Sequence, residues 1–229
     1  MDRRKALRNI GWGAGALVAT PTILNILQSC KEAGPVFSPA FVSAGQGHAL
    51  RSMVDLIIPN DEQIPGAVAM GVHEFIDSYW NQVLAADPNA VKDDFMESSP
   101  TQEQQFVKDA LAAYEAQFKA TFNKELADGT PEEFDQLLAK YLKADKEQQE
   151  AYGKKMGEYL MASKQDPNAT FDADAQVFYL LSSIRGLTIW GWKTSEEIGK
   201  NVLWYDPVPG QYKGCIPLTD TGNGKAMSL

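Results

Sequence analysis

Cysteine and histidine are scarce in this chain, with two of each in 229 residues. No C-x-x-C pair, no C-x-x-C-H haem-attachment site and no H-E-x-x-H zinc helix occurs. His73-Glu74 opens like the zinc motif, but Asp77 stands where the second histidine belongs. His73 therefore reads as a helix-start residue on a half-buried face, and His48 stands alone. A Ser-His-Asp triad has almost no material to be built from. Basic patches with interleaved aromatics are also missing and the net charge is −9, which argues against nucleic-acid binding. There is no convincing alternating apolar–polar run for a sheet, and no internal repeat. Gly11, Gly13 and Gly15 follow no strand, so a nucleotide loop is excluded there.

The charge that is present is unevenly placed. Residues 1–29 carry Arg3, Arg4, Lys5 and Arg8 against Asp2, while the remainder carries 17 basic and 29 acidic side chains. A cationic start followed by a Gly/Ala-rich apolar run to Leu27 has the layout of a secretory signal. Pro21 and Asn25 dilute that run, which makes a permanent span the weaker reading. Arg3-Arg4 followed by Leu7 and Arg8 resembles a twin-arginine export signal, with Asp2 and Ala6 where Ser/Thr and Phe are usual. Leu27-Gln28-Ser29-Cys30 resembles a bacterial lipobox. It predicts cleavage before Cys30 and lipidation of that residue, each buried lipid CH₂ adding about 0.8 kcal/mol of membrane binding. An unlipidated Cys30 is the alternative. With Cys30 lipidated, Cys215 is the one thiol left, so no intramolecular disulfide is expected.

Residues 30–46 are rich in Gly, Pro and Ser and read as a tether. Residues 47–229 read as one all-α, helical-bundle domain with an irregular Gly/Pro/aromatic-rich tail from about residue 201. Leu50, Met53, Val54, Ile57 and Ile58 recur at helical spacing before Pro59. Phe75, Ile76, Tyr79, Trp80, Val83 and Leu84 line a second helix. Ser99-Pro100-Thr101-Gln102 and Thr130-Pro131-Glu132-Glu133 are capping-box starts for two more. A helix around Glu147–Ser163 is expected to be interrupted at Gly153 and Gly157. Asp172 starts the last, with Val177, Phe178, Leu180, Leu181, Ile184, Leu187 and Thr188 inward. The many carboxylates fall mostly on solvent faces beside Lys or Gln, which favours a solvated surface over acid–base chemistry.

The segment from Ser182 to Leu218 is different. It concentrates Trp190, Trp192, Trp204, Tyr205 and Tyr212, with Arg185 on an otherwise apolar helix. Either the aromatics fill a groove of the bundle under a wrapping tail, or they anchor a partner, since Trp, Tyr and Arg are the usual interface anchors.

Several motifs here resemble the gluconate 2-dehydrogenase subunit 3 family. They are Ser183-Ile184-Arg185-Gly186-Leu187-Thr188, Gly191-Trp192-Lys193-Thr194-Ser195-Glu196, and Pro209-Gly210-Gln211-Tyr212-Lys213-Gly214-Cys215. Upstream, Asp55-Leu56-Ile57-Ile58-Pro59, Ile64-Pro65-Gly66-Ala67 and Gly71-Val72-His73-Glu74-Phe75-Ile76-Asp77 are similar to the family's N-terminal signature, so the likeness spans roughly Leu50 to Leu218. It implies a small subunit with no cofactor and no catalytic or metal residues of its own. Its partner would be a flavin-dependent subunit of the glucose–methanol–choline (GMC) type that carries FAD and oxidises a sugar or polyol, with a cytochrome c accepting electrons. The expected role is escort, stabiliser and membrane tether on the periplasmic side of a bacterial membrane. Arg3 and Arg4 would direct export and Cys30 would anchor. Arg185, Trp190, Trp192, Trp204 and Tyr212 would contact the partner or lock the tail that does. An autonomous periplasmic oxidoreductase and a solute-binding lipoprotein are the alternatives.

Overall fold

The first helix of the folded body, α1, spans Ala44–Ile57 and starts with a complete capping box. Ser43 Oγ accepts from the Gln46 N–H at 3.2 Å, and Gln46 Oε1 accepts from the Ser43 N–H at 3.0 Å. The helix thus begins within the stretch whose composition reads as a tether. Leu50, Met53 and Val54 face the core. Ile58 leaves the helical region at φ −136° because Pro59 follows it.

In the computed structural model the described residues are 37–84, 100–166, 169–204, 210, 215, 217–220 and 222–227. Residues from Ser38 on fall in one compact unit. After α1 the chain folds back on itself, the Ala67 N–H donating to the Ile58 carbonyl at 2.9 Å. Only glycine fits at position 66, where a Cβ would lie 2.5 Å from the Asn60 nitrogen. Gly71, at φ +70°, then turns the chain into α2, Val72–Ser78, which runs on as a π turn over Tyr79–Val83. Helix α3 is Pro100–Phe122, followed by a 3₁₀ turn at Leu126–Asp128. Helix α4, Pro131–Leu142, carries the expected Thr130/Glu133 capping box. Helix α5 is Lys146–Ser163, boxed by Asp145 and Gln148. Helix α6 is Ala173–Thr194, with Asp172 accepting from the Ala175 N–H at 3.0 Å. A π turn at Ile198–Val202 leads to Trp204.

The architecture is a single all-α domain, as the sequence pattern predicts. Helix α6 is its axis and touches every other helix. Leu181, Ile184, Tyr114, Phe118, Phe134 and Trp80 are buried to within 1%. Each buried aliphatic or aromatic side chain of this kind contributes about 1.5–3 kcal/mol. Helix α5 is held differently, with no buried residue of its own. Tyr152 stacks on Phe178 at 4.7 Å, Tyr159 stacks on Phe171 at 4.8 Å, and Lys155 reaches Asp172 at 2.9 Å. It runs unbroken through Gly153 and Gly157, contrary to the expected interruption. Glycine weakens a helix but keeps its backbone N–H donor, so neighbouring turns carry the helix through.

Candidate functional site

Helix α2 is fixed first by Asp77, a buried carboxylate. Its Oδ2 accepts from the Ala40 N–H at 2.7 Å, and its Oδ1 accepts from the Phe41 and Val42 N–H groups at 3.0 Å each. Three charge-assisted bonds to consecutive amides staple the incoming chain onto α2. The residue that breaks the zinc motif is therefore a structural clasp. His73, one turn earlier, is also buried. Burial holds its imidazole below the usual 6.5, and Glu74 at 3.9 Å opposes that shift. The ring is therefore neutral at pH 7 and resists the proton that an unfolded chain takes up as pH falls through 6.5. His48 has a structural role as well. Its Nε2 donates to the Gly129 carbonyl at 2.9 Å, which places the ring proton on that nitrogen.

Helix α6 then closes on α2 at Gly191. A Cβ there would lie 3.0 Å from Phe75 Cδ1 and 3.2 Å from Val72 Cγ1. The close seam brings the Phe75 and Trp190 rings to 5.3 Å, and Phe75 also meets Tyr79 at 6.0 Å. Ile76 and Trp80 face the core, whereas Phe75 and Tyr79 sit half-exposed at its margin. Trp190 is 47% exposed and Ile189 43%. Arg185 and Gly186, one turn earlier on α6, are exposed too.

Of the five residues singled out from the C-terminal segment, the four that are described differ in exposure and in the contacts they make. Arg185 and Trp190 lie on the exposed side of α6. Trp192 is half-buried, and its indole N–H donates to the Pro65 carbonyl at 2.9 Å, pinning the loop before α2 onto α6. Trp204 holds the tail. Its backbone N–H donates to the Ala226 carbonyl at 2.8 Å, and Gly222 lies so close that a Cβ would be 2.4 Å from the indole Cγ. Tyr212 lies outside the described residues, as do Arg3, Arg4 and Cys30. Cys215 is exposed. Phe75, Tyr79 and Ile189 extend the Trp190 face. Helical spacing puts Phe75 and Tyr79 on the apolar face of α2, and both do pack against the core while staying partly exposed beside Trp190.

Among the described residues, no group of three His, Cys, Asp or Glu side chains could hold a metal ion, and no helix is long and apolar enough to cross a membrane. A cleft of about 320 Å³ lies between α1 and α4, lined by Leu56, Pro131, Glu132, Asp135 and Gln136. It has no aromatic wall of the kind that encloses a small ligand.

These features define a helical protein with an aromatic face at the seam of α2 and α6. The chain belongs to the gluconate 2-dehydrogenase subunit 3 family, whose model matches residues 44–210. The match begins at the first residue of α1 and runs past Trp204. Membership implies association with a dehydrogenase complex. No curated protein and no solved structure matches the chain.

Proposed function

We propose that this chain is the non-catalytic small subunit that escorts, stabilises and membrane-tethers a flavin-dependent, GMC-type sugar or polyol dehydrogenase. Family membership supports the association with a dehydrogenase. The observation that carries the reading further is Trp190, 47% exposed on the helix that otherwise forms the axis of the core. Large aromatics left in water beside an arginine are characteristic of interface anchors. In this reading FAD and substrate belong to the partner, and a cytochrome c takes the electrons.

Arg3-Arg4 would send the folded pair through twin-arginine export, and cleavage would remove residues 1–29. Lipid on Cys30 would then hold the complex on the periplasmic face. The tether is the stretch between Cys30 and the clasp at Ala40–Val42.

The test is affinity purification of the tagged chain from its native membrane. A co-purifying larger chain with flavin absorbance is expected, and Cys30→Ser should release both from the membrane. Flavin bound to this chain itself would point to an autonomous oxidoreductase. Thermal stabilisation of the isolated chain by a sugar, with no flavoprotein recovered, would point to a solute-binding lipoprotein.

A further inference from the structure

A glycine inside a helix costs about 1 kcal/mol relative to alanine, so its presence asks for a reason. Gly191 has one within the chain, the approach to Phe75. Gly186 has none there, because a Cβ at that position would meet nothing within 4 Å. Yet Gly186 sits beside exposed Arg185 and one turn before exposed Ile189 and Trp190. Residues 185, 186, 189, 190 and 193 follow the spacing of one helix face.

The charge on this face is as unusual as its apolarity. From Ala175 to Ser195 there is no carboxylate, and the two charges are Arg185 and Lys193, in a chain of net −9. Neither cation has an ion-pair partner among the described residues. On α5, by contrast, Lys146, Lys154 and Lys155 pair with Glu150, Glu158 and Asp172.

Resting on the function proposed above, we infer that this face seats an acidic, apolar segment of the dehydrogenase's catalytic chain. The segment's backbone passes over Gly186, an apolar side chain enters beside Ile189, Trp190 and Phe75, and a carboxylate meets Arg185. Charge complementarity selects this occupant. A second copy docking through the same face would bring Arg185 and Lys193 toward their own counterparts. An anionic lipid surface would repel the acidic remainder of the body. A carboxylate-bearing protein satisfies the arginine with a two-pronged hydrogen bond and leaves the acidic surface in water. The open space over Gly186 then has a use, since it lets the partner's main chain approach α6.

The inference is tested in the full chain, expressed in its native membrane with a photo-crosslinking residue at Ser183, and at Glu147 on α5 as the control. The Ser183 probe is expected to capture the flavoprotein and the Glu147 probe to miss it. Arg185→Glu and Gly186→Leu should each cut the recovered flavoprotein at least tenfold without lowering the melting temperature of the free chain. Ser183 crosslinks to a second copy or within the same chain would overturn the inference. So would both variants retaining the flavoprotein. If the wild-type chain keeps its flavoprotein while these probes fail, the face is wrong and the subunit reading stands. If the wild-type chain brings down no flavoprotein, both fall.

Discussion

Helices α5 and α6 are neighbours of similar length with opposite designs. Helix α5 buries none of its residues, pairs Lys146 with Glu150 and Lys154 with Glu158 along its own surface, and is held by two stacked tyrosines and one ion pair. Helix α6 buries Leu180, Leu181, Ile184 and Thr188, yet near its end it turns Ile189 and Trp190 outward. Exposure therefore means different things on the two helices. On α5 it is a solvated surface that satisfies its own charges. On α6 it is an interruption of a core helix, with apolar area in water and two cations that have no ion-pair partner among the described residues. Isolated exposed apolar residues such as Leu160 and Met161 on α5 are ordinary. The tilted ring contacts of Phe75 with Tyr79 and Trp190 instead span two helices, and the docking proposal rests on that continuity.

Matched substitutions sharpen this contrast, and the largest effect belongs to the core. Leu181→Ala should cost about 3 kcal/mol in chemical denaturation, because it removes a fully buried side chain from the axis of the bundle. The same change at Leu160, 45% exposed on α5, should stay within about 0.5 kcal/mol. Equal losses would erase the distinction between the helices.

Next come the glycines. Gly191→Leu should destabilise the free chain by about 1–3 kcal/mol, since the added atoms run into Phe75 and Val72. Gly153→Ala and Gly186→Ala should each stabilise it by about 1 kcal/mol, because both positions open into empty space. The smallest effect is expected for Lys154→Ala, which breaks the 3.8 Å pair to Glu158. Thermal unfolding should change by no more than about 0.5 kcal/mol. A larger loss would show that α5 depends on its ion pairs rather than on its stacked rings.

The parts of this fold that were legible in the sequence are local ones. Thr130 and Glu133 announce α4 because a capping box is written in four consecutive residues. The α1 and α6 stripes follow from helical spacing. Ser43 and Gln46 form an equally good box, but they sit in a Gly/Pro/Ser-rich stretch that reads as linker. The break expected in α5 fails because two glycines subtract propensity without removing a hydrogen bond.

The candidate site was legible only in part. Arg185 and Trp190 stand out by residue type. The indole of Trp192, however, finds its acceptor 127 residues away, at Pro65. Asp77 binds amides 35 to 37 positions earlier in the chain. Contacts of that range depend on how distant segments pack together, which no spacing rule encodes. The contact of Phe75 with Gly191 and Trp190, 115 to 116 positions later, is equally beyond local spacing.

Amide hydrogen exchange of the free chain and of the complex purified from the native membrane tests the central claim most directly. If α6 carries the docking face, amides of residues 183–194 will exchange more slowly in the complex, while those of α5, Lys146–Ser163, will be unchanged. Protection confined to α5, or none on α6, would contradict it.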